Sequence, residues 1–196
     1  MSGQILVSEV RMIGKSLIRC FVWTLALAFG HAVAGQEPQP SSTQLEAMKK
    51  LNFLVGEWKG EGWTEFVPGQ RRTSPIAESV QPKLGGIVLL VEGLGKKKVP
   101  DKQEEVVVHN ALGILSYDER AKIYRMRSHI ATGQTTDAEA KFTDGGFQWA
   151  FKAGPSLSFR YTVKLTDKGE WFEIGEMSQD GTTWRKFHEM TLQKVK

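Results

Sequence analysis

A chain of 196 residues with a net charge of +4 has room for one domain with a substantial core. Three of its 26 basic residues and one of its 22 acidic residues lie within the first 34 positions, so the rest carries only +2 and gives no electrostatic footprint for nucleic acid. Its single cysteine, Cys20, excludes a disulfide framework and a thiolate-held metal.

The N-terminus has the pattern of a secretory signal. Arg11, Lys15 and Arg19 precede an apolar run from Cys20 to Gly30, and Ala32-Val33-Ala34 follows as a cleavage site. The run is too short for a bilayer that needs about 20 apolar residues, which argues against a membrane anchor. The sequence thus predicts export, periplasmic or extracellular, with residues 1–34 removed; Met12 would give a more ordinary signal length. Residues 35–43 are a polar, proline-bearing tether, and residues 44–196 form the domain.

Ser42 to Leu54 carries Leu45, Met48, Leu51 and Leu54 at helical spacing behind a Ser/Thr cap. From there on the hydrophobic period is 2. Strands are predicted at about 57–67, 75–84, 86–95, 104–116, 121–131, 136–143, 146–153, 156–165, 170–178 and 182–194. Turn signals separate them: Pro68-Gly69, Gly85-Gly86, a lysine-rich 95–103 loop with its tip at Lys96–Lys98, Asp118-Glu119-Arg120, Gly133, Asp144-Gly145-Gly146, Gly154-Pro155, Asp167-Lys168-Gly169 and Asp180-Gly181. Hairpin turns favour antiparallel neighbours in chain order, and closing such a sheet removes its two exposed edges. The expected fold is all-β, an antiparallel up-and-down barrel of about ten strands with a short N-terminal helix; a β-sandwich is the alternative.

The first strand sets Trp58, Gly60, Gly62 and Thr64 on one face, a large ring followed by two residues without side chains. Such glycines mark either a bend or a close approach. Gly62 is expected to leave room for a ligand, Gly60 to let the strand coil, and Trp58 to plug the closed end and form the ligand's floor. Leu157, Phe159, Tyr161, Val163 and Leu165 share a face, as do Tyr124, Met126, Ser128 and Ile130; Trp171, Glu173, Gly175 and Met177 alternate in a more mixed strand.

The Gly56-Glu57-Trp58 behind an apolar turn resembles the opening strand of the calycin barrels, the lipocalin and fatty-acid-binding-protein superfamily. The longer Gly56-x-Trp58-x-Gly60-x-Gly62 is similar to the start of the nitrobindin signature, from which Thr64, Phe66 and Val67 depart. With Leu112–Asp118, Tyr124, Gly145-Gly146, Trp149 and Phe187–Thr191, the ordered set resembles a bacterial family of exported calycin-like proteins catalogued as a domain of unknown function. The resemblance implies a barrel that binds a small molecule in its lumen, and a basic side chain (Arg185, Lys186 or Lys194) stacked on Trp58.

Walker, Rossmann, Gly-x-Ser-x-Gly and His-Glu-x-x-His patterns are absent, and no catalytic residue is assigned. His109 and His129 on adjacent strands have no third ligand at a recognisable spacing, so no metal site is expected. The resemblance to nitrobindins offers His188 as an axial ligand for haem; the alternative is a packed barrel histidine. Glu173 and Glu189 on neighbouring strands could meet inside, with Arg160 or Arg127 as counter-charge. The candidate ligand-binding set is therefore Trp58, Gly62, Tyr124, Met126, Arg160, Glu173 and His188. The expected ligand is a small apolar or amphipathic molecule, bound by a monomer or weak dimer. A haem-binding protein and a filled barrel with an interaction role are the competing readings.

Overall fold

The structure is a computed structural model that describes residues 39–99 and 104–195. The expected signal peptide and most of the expected tether lie outside the described residues. An eight-residue helix α1 (Ser42–Lys49) and a 3-10 turn (Asn52–Leu54) precede ten strands. These are β1 (Gly56–Thr64), β2 (Arg72–Lys83), β3 (Val88–Lys98), β4 (Glu105–Asp118), β5 (Ile123–Ile130), β6 (Thr135–Thr143), β7 (Gly146–Gly154), β8 (Leu157–Leu165), β9 (Trp171–Ser178) and β10 (Arg185–Lys194). Each strand pairs antiparallel with its neighbours in sequence, and β1 closes on β10, with Trp58 opposite Lys194 and Thr64 opposite His188. Closure satisfies both edges at once, which is the physical reason an up-and-down chain of amphipathic strands ends as a barrel.

Most boundaries shift by one to three residues from the sequence reading, and three of the differences have a clear physical cause. The predicted single helix breaks after Lys49, because the chain turns so that Leu51 and Leu54 can bury with Met48. Lys96–Lys98 are not a loop tip. They continue β3 and pair with Glu105–Val107 beyond a bulge after Gly95, where Lys96 also meets Glu105. The last strand starts at Arg185 and not at 182, because Asp180 accepts hydrogen bonds from the Thr182 and Thr183 amides and from the Ser178 hydroxyl. That turn uses the residues a strand would have needed.

One end of the barrel is sealed. Met48, Leu51 and Leu54 pack there with Trp58, Val80, Leu89, Leu115, Phe147, Val163, Trp171 and Leu192 in a continuous core. Trp58 meets Trp171 edge to face at 5.7 Å, donates its indole N–H to the Leu54 carbonyl at 2.7 Å, and lies under the Lys194 ammonium at 5.3 Å. Of the three basic side chains offered by the resemblance, Lys194 takes this place. Tyr124 donates its hydroxyl to the Ala47 carbonyl at 2.9 Å and so ties α1 to the barrel. Because a net hydrogen bond is worth about 1 kcal/mol, Tyr124→Phe is expected to lower the melting temperature by about 2–4 °C. Thermal unfolding measures this, and an unchanged midpoint would mean that helix docking rests on apolar burial alone. Among the described residues no helix is long and apolar enough to cross a membrane.

Candidate functional site in the barrel interior

Bordering the sealed end, the inward positions become polar and less completely buried. The alternation that places Val80 and Ile76 inside also turns Glu78 inward, between Trp58 of β1 and Gly93 of β3. Glu78 is only 9 % exposed. Among the described residues no donor hydrogen-bonds its carboxyl and no cation pairs with it, and its oxygens are not wholly shut off, since no fully buried side-chain oxygen is left without a partner. A Cβ at Gly93 would stand 2.7 Å from a Glu78 carboxyl oxygen, so that glycine is the seat into which the acid fits. Burial, with the charge of Glu173 added, raises the Glu78 pKa well above the carboxylate range.

Glu173 faces the same interior from β9. The Trp171 indole N–H donates to one of its oxygens at 3.3 Å, and the other lies 3.8 Å from His188 Nε2. Burial pushes its pKa up to about 8, so at neutral pH the carboxyl is mostly protonated.

His188 follows a bulge in β10 that shifts the register between Lys186 and His188, which leaves both Phe187 and His188 turned inward. Its Nδ1 is 3.1 Å from the Trp63 carbonyl oxygen. A carbonyl can only accept, so Nδ1 carries the proton and Nε2 presents a lone pair to the lumen. Burial is the main cause holding its pKa down to about 4, with the nearby His109 adding to the effect, so the ring is neutral at pH 7. Two groups that could have formed an ion pair are thus a neutral acid facing a neutral imidazole, because desolvation outweighs their attraction.

Tyr161 completes the cluster. Its ring is 6.1 Å from that of His188 and stacks on Trp149 at 5.4 Å, and a Cβ at Gly175 would come within 2.9 Å of both Tyr161 and His188. No partner for its hydroxyl is found among the described residues. Burial, and secondarily Glu173, raise its pKa, so it stays protonated. Phe151 and Phe159, stacked at 5.5 Å, carry the aromatic wall outward, and Phe187 meets Phe159 at 5.3 Å. Inward-facing Ser128, Ile130, Phe151, Phe159 and Met177 are all only partly buried, so this end is covered less completely than the end that α1 packs against.

Of the sequence-derived set, the structure brings together only Glu173 and His188. Trp58 and Tyr124 belong to the packing of the sealed end. Met126 points inward but fills the space over Gly113, where a Cβ would meet its Cε at 2.8 Å. Gly62 faces inward yet leaves no room: a Cβ there would sit 2.5 Å from Ile76 Cδ1 and 2.8 Å from Met190 Cβ. Arg160 lies on the outer face, bonded to Glu176 at 2.6 Å beneath the Trp184 ring, because it alternates with the inward Tyr161. Glu189 is also outside, paired with Lys186 at 2.7 Å, and Arg127 pairs with Asp137. The two acids that share the lumen are therefore Glu78 and Glu173, with no arginine between them.

His129 points outward opposite Leu112, whereas His109 points inward beside Gly95 at the less covered end. Partial desolvation lowers the His109 pKa. Among the described residues no three His, Cys, Asp or Glu side chains are arranged to hold a metal ion. Glu78 was legible in one respect, since it falls in phase with Ile76 and Val80. An acid on the apolar parity of a strand is a signal that neither composition nor charge balance reveals.

The fold is a closed ten-stranded antiparallel barrel, packed tight at one end and carrying polar side chains in its interior. Residues 43–194 match the family described as "Protein of unknown function (DUF1579)", and the chain belongs to that family. None of the curated proteins matches it. Among solved structures the crystal structure of Rv2717c from M. tuberculosis is similar in fold. Its TM-score is 0.54 at 13% sequence identity, over 76% of this chain and 98% of that one.

Proposed function

We propose that this protein is an exported binding module that holds one small amphipathic molecule in its lumen and performs no chemistry on it. The observation that carries this reading is a pair of inward polar groups that no protein group hydrogen-bonds, Glu78 and Tyr161, whose polar atoms are not fully shut off, beside a wall of aromatic rings. A ligand's polar end would supply the hydrogen bonds that the protein does not offer these groups, while its apolar part packs against the aromatic wall. The N-terminal pattern of basic residues, apolar run and Ala-Val-Ala supports export.

The test uses the neutral apolar fluorophore N-phenyl-1-naphthylamine. Saturable binding at about one equivalent is expected, abolished by Ser128→Trp, which fills the less covered end without touching the sealed end. Circular dichroism confirms that the variant is folded. Binding that survives in the folded variant, or no binding to the unaltered protein, would favour the filled barrel.

A second reading is haem held by His188, favoured by the Nδ1–Trp63 hydrogen bond that frees Nε2 toward the lumen. What stands against it is crowding: Glu173 lies 3.8 Å from that nitrogen, and Tyr161 and Phe187 close in on the imidazole. The residues as placed do not fit a macrocycle. A Soret band in protein purified from the exporting cell, lost on His188→Ala, would reverse this ranking.

A further inference from the structure

Within the lumen-binding reading, on which this step rests, we infer that the preferred occupant is a cationic amphiphile whose ammonium group sits among Glu78, Glu173, Tyr161 and His188. The inference starts from the polarity of what faces inward. Glu78 offers carboxyl oxygens with no donor, Glu173 offers the oxygen that Trp171 leaves free, and His188 offers the Nε2 lone pair, its only N–H being held by the Trp63 carbonyl. The Tyr161 hydroxyl accepts as readily as it donates. Glu173, His188 and Tyr161 stand together, and Glu78 is near enough for the Glu173 charge to act on it; almost all of these groups accept hydrogen bonds, whereas an alkylammonium brings three donors and a charge.

The second observation is a missing counter-ion. Two carboxyl groups share a low-dielectric interior, and among the described residues neither is paired with a lysine or arginine. The titratable groups facing them are Tyr161 from β8, His188 from β10 and His109 from β4 at the less covered end. Arg185 at the rim donates instead to the Glu65 and Phe66 carbonyls at 2.9 and 2.8 Å. A cation that arrives with the ligand supplies what the chain withholds. A carboxylate ligand would meet two acids and a lone pair.

Charge balance sets a signature. The free protein holds protonated acid, and an alkylammonium keeps its own proton well above neutral pH. Seating it as an ion pair therefore expels one proton from a glutamic acid to solvent. Amine affinity should consequently rise with pH, by up to about tenfold per unit between pH 6.5 and 8, while His188 stays neutral throughout.

The experiment compares octylamine, octanol and octanoate as competitors of N-phenyl-1-naphthylamine on the full-length protein. Octylamine is expected to bind about tenfold or more tightly than octanol, with octanoate weakest. Calorimetry in two buffers of different protonation enthalpy should show close to one proton released for the amine and none for the alcohol. Glu78→Gln and Glu173→Gln should each reduce the amine's advantage while leaving octanol within about twofold, and a variant that still binds octanol is folded by that criterion. Equal affinity for amine and alcohol, tightest binding of octanoate, or no displacement by any of the three would overturn this inference while fluorophore binding keeps the lumen reading. Loss of fluorophore binding in the unaltered protein would remove both.

Discussion

Glu173→Gln is expected to stabilise the protein at pH 8 by on the order of 4 kcal/mol more than at pH 4.5, among the largest effects of a single substitution in this barrel. The folded protein holds the Glu173 proton up to about pH 8, whereas an unconstrained glutamate releases it near 4.5. Between those values the unfolded chain gives up a proton that the folded state retains. Stability therefore falls as pH rises through this window and is insensitive to this group below it. His188 works in the opposite sense, because its folded pKa of about 4 lies below the ordinary 6.5, so its contribution falls as the solution is acidified from 6.5 to 4. The two slopes oppose each other between pH 4.5 and 6.5. Above pH 6.5 Glu173 acts without that compensation, and the wild-type curve should drop by about 1.4 kcal/mol per unit up to pH 8. Glu78 adds to the same limb, since its pKa is raised by the same desolvation and by Glu173 itself. Denaturant unfolding at a series of pH values reads this directly. Parallel curves for the wild type and the variant would mean that Glu173 is solvated or paired in solution, and the neutral acid–imidazole arrangement would be wrong.

How much of this was legible from the chain depended on whether a feature is local. The ten strands follow from period-2 alternation and Asp/Gly turns, both of which act over a few residues, and closure follows from the need to cover two edges. The lysine run misled because three consecutive charges read as a loop, whereas a hairpin extending past the barrel exposes both of its faces and accepts them. The site was legible only in fragments. Glu173 and His188 were singled out individually, but their 3.8 Å approach depends on the β9–β10 bulge, which the sequence does not mark. Arg160 and Tyr161 are adjacent in sequence and opposite in space, so choosing the wrong one of the pair follows from not knowing which face is inside. Glu78 escaped notice because its significance lies in Gly93, across the β2–β3 pairing, and a single sequence does not show which glycine stands beside which acid.

That same relation decides the glycines of β1, where the sequence reading expected an open pocket at Gly62 and a flexible backbone at Gly60. Both are places of contact. A Cβ at Gly60 would run into the Thr191 carbonyl oxygen and come within 2.9 Å of Leu192 Cα, which are backbone atoms of β10 at the seam that closes the barrel. Backbone cannot rotate out of the way, so Gly60→Ala must push β1 and β10 apart or shift their register. The expected loss is about 3 kcal/mol or more, at the upper end of overpacking effects. At Gly62 the first obstacle is Ile76 Cδ1 at 2.5 Å, the free end of a side chain that can take another rotamer, and the second is Met190 Cβ at 2.8 Å, which can move only with its strand. Gly62→Ala should therefore cost less, about 1–2 kcal/mol. For a domain of this size the two differ by several degrees in melting temperature, with Gly60→Ala the lower, and fluorophore binding by folded Gly62→Ala should match the unaltered protein. A Gly62→Ala protein that melts normally but has lost the fluorophore would restore the pocket to β1 and move the ligand away from the Glu78–Glu173 pair.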